Sequence, residues 1–360
     1  MVSSGVPCVG YGDIYMKYNY HFEEAQSFVD EETASESQPI EKGTLLFTGT
    51  GETAEEIGKC VCYKGNETIY AGGDIITFVS KEVNPLFLAY QQYQDFSIRK
   101  KAGFGQGHSV VHIQRENLER LPVAFPKSLS EQAKIAEILM TWDKAIELHK
   151  QQIEKLKQFK SVCLKKMFPA KGQTVPEWRF KGFTDAWEQR KASELCSITT
   201  GKSNTQDQTP DGAYPFFIRS DVPARSNRFF YDEEAVITIG DGNIGKVFHY
   251  VNGKFDLHQR CYKMADFEGV LGKYFYYFFS TYFYDRAMKM TAKATVDSVR
   301  LEMISDMEIL FPKSKTEQNA IAEFLSSLDN LITLHQRKVE TYQKQYRILQ
   351  QYLLNGIVRV

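Results

Sequence analysis

Several short stretches of this chain carry residues whose types and spacing could do chemistry. GDGNIG at 240–245 fits the G-x-G-x-x-G pattern of a turn that cradles phosphate. Such a turn needs a strand before it and a helix start after it, so that backbone N–H groups face a pyrophosphate. The strand-like AVITI does precede it, but KVFHYV follows with the alternation of a second strand. The pattern predicts a β-hairpin. TTGKS at 199–203 ends like a P-loop, yet Cys196 stands where the first glycine of the cradle is required. His108 and His112 are metal-ligand types, but four positions along an extended run set them about 13 Å apart, too far to share one ion.

Two further fragments approach a methyl-transfer signature. NPLF at 84–87 is similar to an Asn-Pro-Pro-aromatic motif, with Leu86 in place of a proline. FGQG at 104–107 is similar to a methyl-donor loop, but it follows NPLF and no nucleotide-binding α/β pattern supports it. No Ser-His-Asp, paired-carboxylate or Cys-His arrangement stands out. The reading is of a non-catalytic chain. TGTGETAEEIGK at 48–59 shares the Thr-Gly entry and Ile-Gly-Lys exit of the 240–246 turn. A turn written in both halves fits a duplicated frame better than one cofactor site.

That duplication is plain elsewhere. FPKSLSEQAKIAEIL begins at 125 and FPKSKTEQNAIAEFL at 311, an offset of 186 residues, and 125–149 matches 311–335 at 14 of 25 positions. The same offset runs backwards without a gap, pairing Val110 with Val296, Ile113 with Val299, Leu118 with Ile304 and Val123 with Ile309. Each copy opens with a Phe-Pro breaker and a capping box, Ser128 with Glu131 and Ser314 with Glu317. Apolar residues then recur at alternating spacings of four and three. The first series runs Ile135, Leu139, Trp142, Ile146, His149, Ile153, Leu156, Lys160, Cys163, Met167. The second runs Ile321, Leu325, Leu328, Ile332, His335, Val339, Tyr342, Tyr346, Leu349, Leu353. A period of 3.5 held over four heptads is a coiled-coil seam. Each helix is then about 40 residues and roughly 60 Å long, and the two bury their seams on each other. His149 and His335 occupy the same step and read as polar residues that fix register rather than as metal ligands.

The order is therefore globular, helix, globular, helix. The boundaries fall at 1–124, 125–170, 171–310 and 311–360, with PAKGQTVPEW at 169–178 as a linker. The globular segments mix short β-type runs (TLLFTG, DIITFV, AVITIG, KVFHYV) with an aromatic helix each, over about 85–98 and 271–288. Net charge is −7 over 1–124, +4 over 125–170, −1 over 171–310 and +3 over 311–360, which gives −1 for the chain. A nucleic-acid binder acting alone carries more basic excess than this. Six scattered cysteines without CxxC spacing fit a reduced, cytoplasmic protein. No signal peptide is evident, and YFYYFFSTYFY at 274–284 is too short and hydroxyl-rich to span a bilayer.

With both FPKS-x-x-EQ-x-x-IAE helices in view, the chain resembles the specificity subunits of type I restriction-modification enzymes. The resemblance covers nearly the whole chain, and RFKGFTDAWEQRKASEL at 179–195 looks like the opening of a target recognition domain. It implies an α+β fold, with two mixed α/β target recognition domains separated by two long helices in an antiparallel coiled coil. Each domain would read half of a bipartite site on double-stranded DNA, and the helices would set the unread spacer. The implied partners are two methyltransferase subunits and two motor-nuclease restriction subunits. S-adenosylmethionine, ATP and Mg would belong to those partners, with no cofactor in this chain and no membrane association. One departure stands out: 28 positions separate Trp187 from Pro215, but only six residues precede the corresponding Pro7. On this resemblance the first recognition domain is expected to lack its opening stretch.

Base reading needs Arg for guanine and Asn or Gln for adenine, through bidentate bonds of roughly 1–3 kcal/mol each. In the second domain the candidates are Lys202, Asn204, Arg219, Arg225, Arg228, Asn243, Gln259, Arg260, Lys289 and Lys293. In the first they are Lys17, Asn19, Arg99, Lys100, Lys101, Gln106 and His108. Each is weighed against a solvated surface charge, and about half are expected to be only that. Two competing readings remain open. A fused methyltransferase would need an intact methyl-donor loop, and a coiled-coil scaffold without a DNA role would leave the divergent loops on a shared frame unexplained.

Overall fold

The computed structural model describes residues 2–107, 110–170, 172–290 and 298–360. They form two compact units, Met1–His149 with Arg337–Val360, and Lys150–Gln336. The expected mixture of sheets and long helices is what the chain adopts. The two seams form helices Leu129–Met167 and Lys315–Leu354, of 39 and 40 residues. Every seam residue named above is buried or half-buried. Each unit takes one half of both helices.

The first unit holds two four-stranded sheets. One orders its strands Ser27–Val29, Val6–Val9, Ile69–Ala71, Gln38–Ile40, and the other His21–Phe22, Cys60–Tyr63, Thr44–Thr48, Ile75–Val79. Phe87 and Tyr90 pack on Ile135, Leu139, Ile146, Tyr346 and Leu353, which sets the start of the first long helix against the end of the second. Within this unit the helices run antiparallel. The aromatic helix expected over about 85–98 is two helices, Pro85–Gln91 and Asp95–Phe104. The break is stabilised by Lys101, whose Nζ donates to Gln92 O at 3.1 Å and to Gly58 O at 2.8 Å. A helix end buried without such a donor would leave carbonyls unpaired.

The second unit holds a six-stranded sheet in the order Ser197–Thr200, Cys261–Ala265, Tyr231–Ile239, Phe248–Leu257, Tyr214–Phe217, Ala224–Ser226. Its aromatic helix, Gly272–Lys289, buries Tyr274, Phe275, Tyr277, Phe278, Phe279 and Phe283 between the sheet and the long helices. Lys160 bonds Asp329 at 2.5 Å and joins the two long helices within this unit. Among the described residues no helix is long and apolar enough to cross a membrane.

The duplicated frame shows in its clamps. Gln132 Oε1 accepts from Asn84 N at 2.6 Å and its Nε2 donates to Pro126 O at 2.7 Å. Its mate Gln318 accepts from Leu271 N at 2.7 Å and donates to Pro312 O at 2.8 Å. Each clamp ties the start of an aromatic helix to the start of a long one. The capping boxes are half made: Ser128 and Ser314 accept from Glu131 N and Glu317 N at 3.3 and 3.4 Å. The two glutamates turn instead to guanidinium groups, Glu131 to Arg359 and Glu317 to Arg179. The two copies differ at one edge. Glu308–Phe311 pairs with Glu188–Lys191, while among the described residues no strand pairs with the equivalent 122–125. Phe311 is buried and its mate Phe125 is 45% exposed.

Candidate nucleic-acid interface

GDGNIG is the turn of a hairpin, joining antiparallel strands Tyr231–Ile239 and Phe248–Leu257, as its flanks require. No helix start follows it. Gly245 (φ +67°) and its counterpart Gly58 (φ +68°) both take the left-handed conformation that favours glycine.

Three loops of the second unit are bound together by their backbones. Gly240 N donates to Arg260 O at 2.7 Å, Lys202 N and Ser203 N each reach Leu257 O at 3.1 Å, and Gln259 N reaches Ser203 O at 2.9 Å. A Cβ at Gly240 would stand 2.6 Å from Arg260 O, so only glycine permits this approach. The result is one frame that carries Asn204, Asp241, Gln259 and Arg260, and the side chains of Arg219 and Arg228 reach it from neighbouring loops.

Three polar groupings sit on that frame. Gln259 Nε2 donates to Asn204 Oδ1 at 2.5 Å, an amide pair. Arg260 Nη1 donates to Asp241 at 2.8 Å and Arg219 Nη1 donates to both of its oxygens at 3.2 Å. Burial works to raise the Asp241 carboxyl, and the bonds from Arg260 and Arg219 outweigh it and hold the group below the ordinary carboxylate range. Arg228 reaches Asp207 at 2.6 Å, Asp256 at 3.4 Å and Ser203 Oγ at 3.1 Å. Asp256 is fully buried and also accepts from Ser203 Oγ at 2.6 Å, Ser226 Oγ at 3.3 Å and Leu257 N at 2.8 Å. A buried carboxylate is tolerated when it is satisfied to this degree. His258 Nδ1 accepts from Arg260 N at 3.0 Å, and burial with the nearby Arg219 charge lowers its pKa, favouring the neutral ring.

The remaining candidates lie apart from these groupings. The Arg225 guanidinium braces its own hairpin, donating to Gly212 O at 2.8 Å and Ala213 O at 2.9 Å. Lys202 and Asn243 are exposed, and Lys289 is exposed at the end of the aromatic helix. Lys293 lies outside the described residues.

In the first unit Asn19, Arg99, Lys100 and Gln106 are exposed, and His108 lies outside the described residues. Lys17 is held by Asp13 at 2.7 Å and Ser27 Oγ at 2.8 Å. Lys101 requires a correction. It is 4% exposed, bonded to two backbone carbonyls, and burial pushes its ammonium down to about 8. It is an internal brace with no access to a ligand. Reading from sequence also passed over Asp207, Asp241 and Asp256, because acids are not sought among groups that meet phosphate. Asp241 did stand in view, inside GDGNIG.

Comparison with known proteins bears on what this frame serves. The family model described as type I restriction modification DNA specificity domain matches residues 12–158 and again 184–341. The MjaVIII specificity subunit, a type I restriction enzyme component of Methanocaldococcus jannaschii, is 24% identical over 353 residues, covering 89% of this chain and 80% of that one. The EcoDI specificity subunit of Escherichia coli is 29% identical over 143 residues, 39% of this chain and 31% of that protein. The solved S subunit of a type I restriction-modification system from M. genitalium has a TM-score of 0.64 at 14% identity, covering 94% of this chain and 89% of that one. At that identity the likeness is one of fold.

Proposed function

Because the chain belongs to the type I restriction-modification DNA specificity family, we propose that it reads a bipartite DNA target, one half-site with each globular module. It is the recognition component of such a system and not its catalyst. In this reading it scaffolds two methyltransferase subunits and two motor-nuclease subunits in the cytoplasm. S-adenosylmethionine, ATP and Mg are bound by those partners. The partners also supply much of the phosphate contact, which accounts for a DNA-reading chain of net charge −1.

One observation carries this reading: the frame is repeated while the loops on it are not. Gln132 and Gln318 repeat their clamps bond for bond. The loops that hold Asn204, Arg219, Gln259 and Arg260 in the second unit have no residue-for-residue copy in the first. Two readers of different half-sites require that combination. A scaffold without a DNA role does not.

The test is to co-express the chain with its methyltransferase and read the modified motif by long-read sequencing. Two specified half-sites around an unspecified gap are expected. Lys160 faces Asp329, so on antiparallel helices Leu156 lies across from Thr333. Four residues inserted after both positions add one turn to each helix, about 6 Å, and keep the seams nearly in phase. The gap should lengthen with both half-sites unchanged. An unchanged gap or an altered half-site would reject the ruler, and failure to co-purify with a methyltransferase would favour the bare scaffold.

A further inference from the structure

The geometry points to Asp241 as a positioning residue for base readout: it fixes Arg219 and Arg260 as a paired fork that reads guanine in the half-site of the second module. This rests on the DNA-reading function proposed above and names the element that does the reading.

Asp241 is nearly covered, its side chain 16% exposed, while those of Arg219 and Arg260 are 45% and 62% exposed. Each guanidinium meets the carboxylate through Nη1, and among the described residues no protein partner takes its Nε or Nη2. A guanidinium has five N–H donors in a rigid plane. Engaging one edge fixes that plane and leaves another free, which suits bidentate contact with the O6 and N7 acceptors of guanine.

The backbone beneath is equally constrained. Gly240 N is bonded to Arg260 O, and Val299 N to Gly240 O, both at 2.7 Å. His258 N is bonded to Phe217 O at 2.9 Å, two residues before Arg219. The carboxylate and both arginines therefore stand on loops that cannot drift apart independently. A mobile arginine binds any phosphate. An arginine locked by a carboxylate pays its ordering cost before DNA arrives and is partly neutralised, so it gains less from phosphate and more from a base edge.

This arrangement makes a prediction that a merely structural ion pair would not. In the complex with methyltransferase, Asp241→Asn should release both arginines. Affinity for a scrambled duplex at low salt should rise and its salt dependence should steepen by about one for each freed arginine. Discrimination between the wild-type motif and the scrambled duplex should fall about tenfold or more. Arg219→Lys and Arg260→Lys keep the charge but lose the planar fork. They should lower discrimination with little change in salt slope, and relax the methylated motif at guanine positions of one half-site only.

A D241N complex that keeps wild-type discrimination overturns the proposal. So does one that loses both affinities in parallel with its melting temperature unchanged. Should D241N fail to fold, the two lysine variants decide, and unaltered discrimination in both overturns it. A wild-type complex without any sequence discrimination would instead reject the underlying DNA-reading function, and the fork with it.

Discussion

Tyr346 donates its hydroxyl to Asp143 at 2.8 Å, and at the equivalent step of the other unit Lys160 donates to Asp329 at 2.5 Å. Each aspartate also receives a tyrosine from the aromatic helix of its own module, Tyr90 at 2.6 Å and Tyr277 at 2.8 Å. The repeat thus keeps the acceptor and varies one donor. Replacing Asp143 by Ala leaves two tyrosine hydroxyls short of their acceptor. It should destabilise the first unit by about 2–4 kcal/mol, read as a lower urea midpoint in near-UV circular dichroism. An unchanged midpoint would mean that water replaces the carboxylate at no cost.

Gln318 is fully buried and binds Leu271 N, Gly269 O and Pro312 O. Gln318→Ala should cost about 2–4 kcal/mol, since at least one N–H and one carbonyl lose their partners inside the protein. Gln318→Glu should also destabilise, because an ionised carboxylate donates to neither carbonyl and a protonated one to only one of the two. Thermal melting of the two variants separates lost hydrogen bonds from lost volume. A glutamate variant as stable as the wild type would contradict the clamp.

Lys101 gives the first unit a distinct pH dependence. Its folded pKa is pushed down to about 8 by burial, against an ordinary 10.5. Between those values the unfolded chain binds more protons than the folded one, so this residue's contribution to stability rises with pH across that window, by at most about 1.4 kcal/mol per unit. Below pH 8 both states are charged and the contribution is flat. Lys101→Met removes the titration, so the stability difference between wild type and variant should move in favour of wild type from pH 8 to 10.5. A difference that stays constant over that range would place the ammonium in water.

The isolated chain should bind DNA weakly and gain affinity when methyltransferase is added, as its charge implies. Gel shifts over a salt series measure this, and tight specific binding by the chain alone would refute shared phosphate contacts. In the complex, alanine at Asn204 or Gln259 should alter the methylated motif if this amide pair reads DNA as proposed, since side-chain amides are suited to adenine. Alanine at Arg225, whose donors are taken by Gly212 O and Ala213 O, should alter stability and leave the motif unchanged.

Much of this was legible in the residues because periodicity and caps are local. The 3.5-residue seam, the Phe-Pro breakers and Ser128 and Ser314 define both long helices to within a few positions. The alternation of KVFHYV decided between hairpin and dinucleotide turn. What local pattern does not carry is side-chain partnership across loops. Glu131 and Glu317 look like capping-box residues in sequence, but arginines distant in the chain outcompete the nearby N-cap backbone for their carboxylates. Lys101 follows Arg99 and Lys100 in a basic run, and only the break at Gln92 turns it inward. The same limit hid the Asp241 fork, whose two arginines come from positions 219 and 260.

Under the proposed DNA-reading function, the bonds of Arg228 to Asp207, Asp256 and Ser203 bear on how a base preference could be altered. If Arg228 reads DNA as proposed, it does so while also compensating a fully buried carboxylate, and it cannot be replaced alone without loss. Losing it leaves Asp256 short of charge compensation in the interior, a penalty of several kcal/mol that falls on the stability of the whole module. Stepwise mutation toward a new base preference therefore crosses a fitness valley. Recombination that imports a module with its own carboxylates and arginines already matched does not. Descendants of this chain should vary in blocks, with the long helices inherited intact and everything between them replaced together.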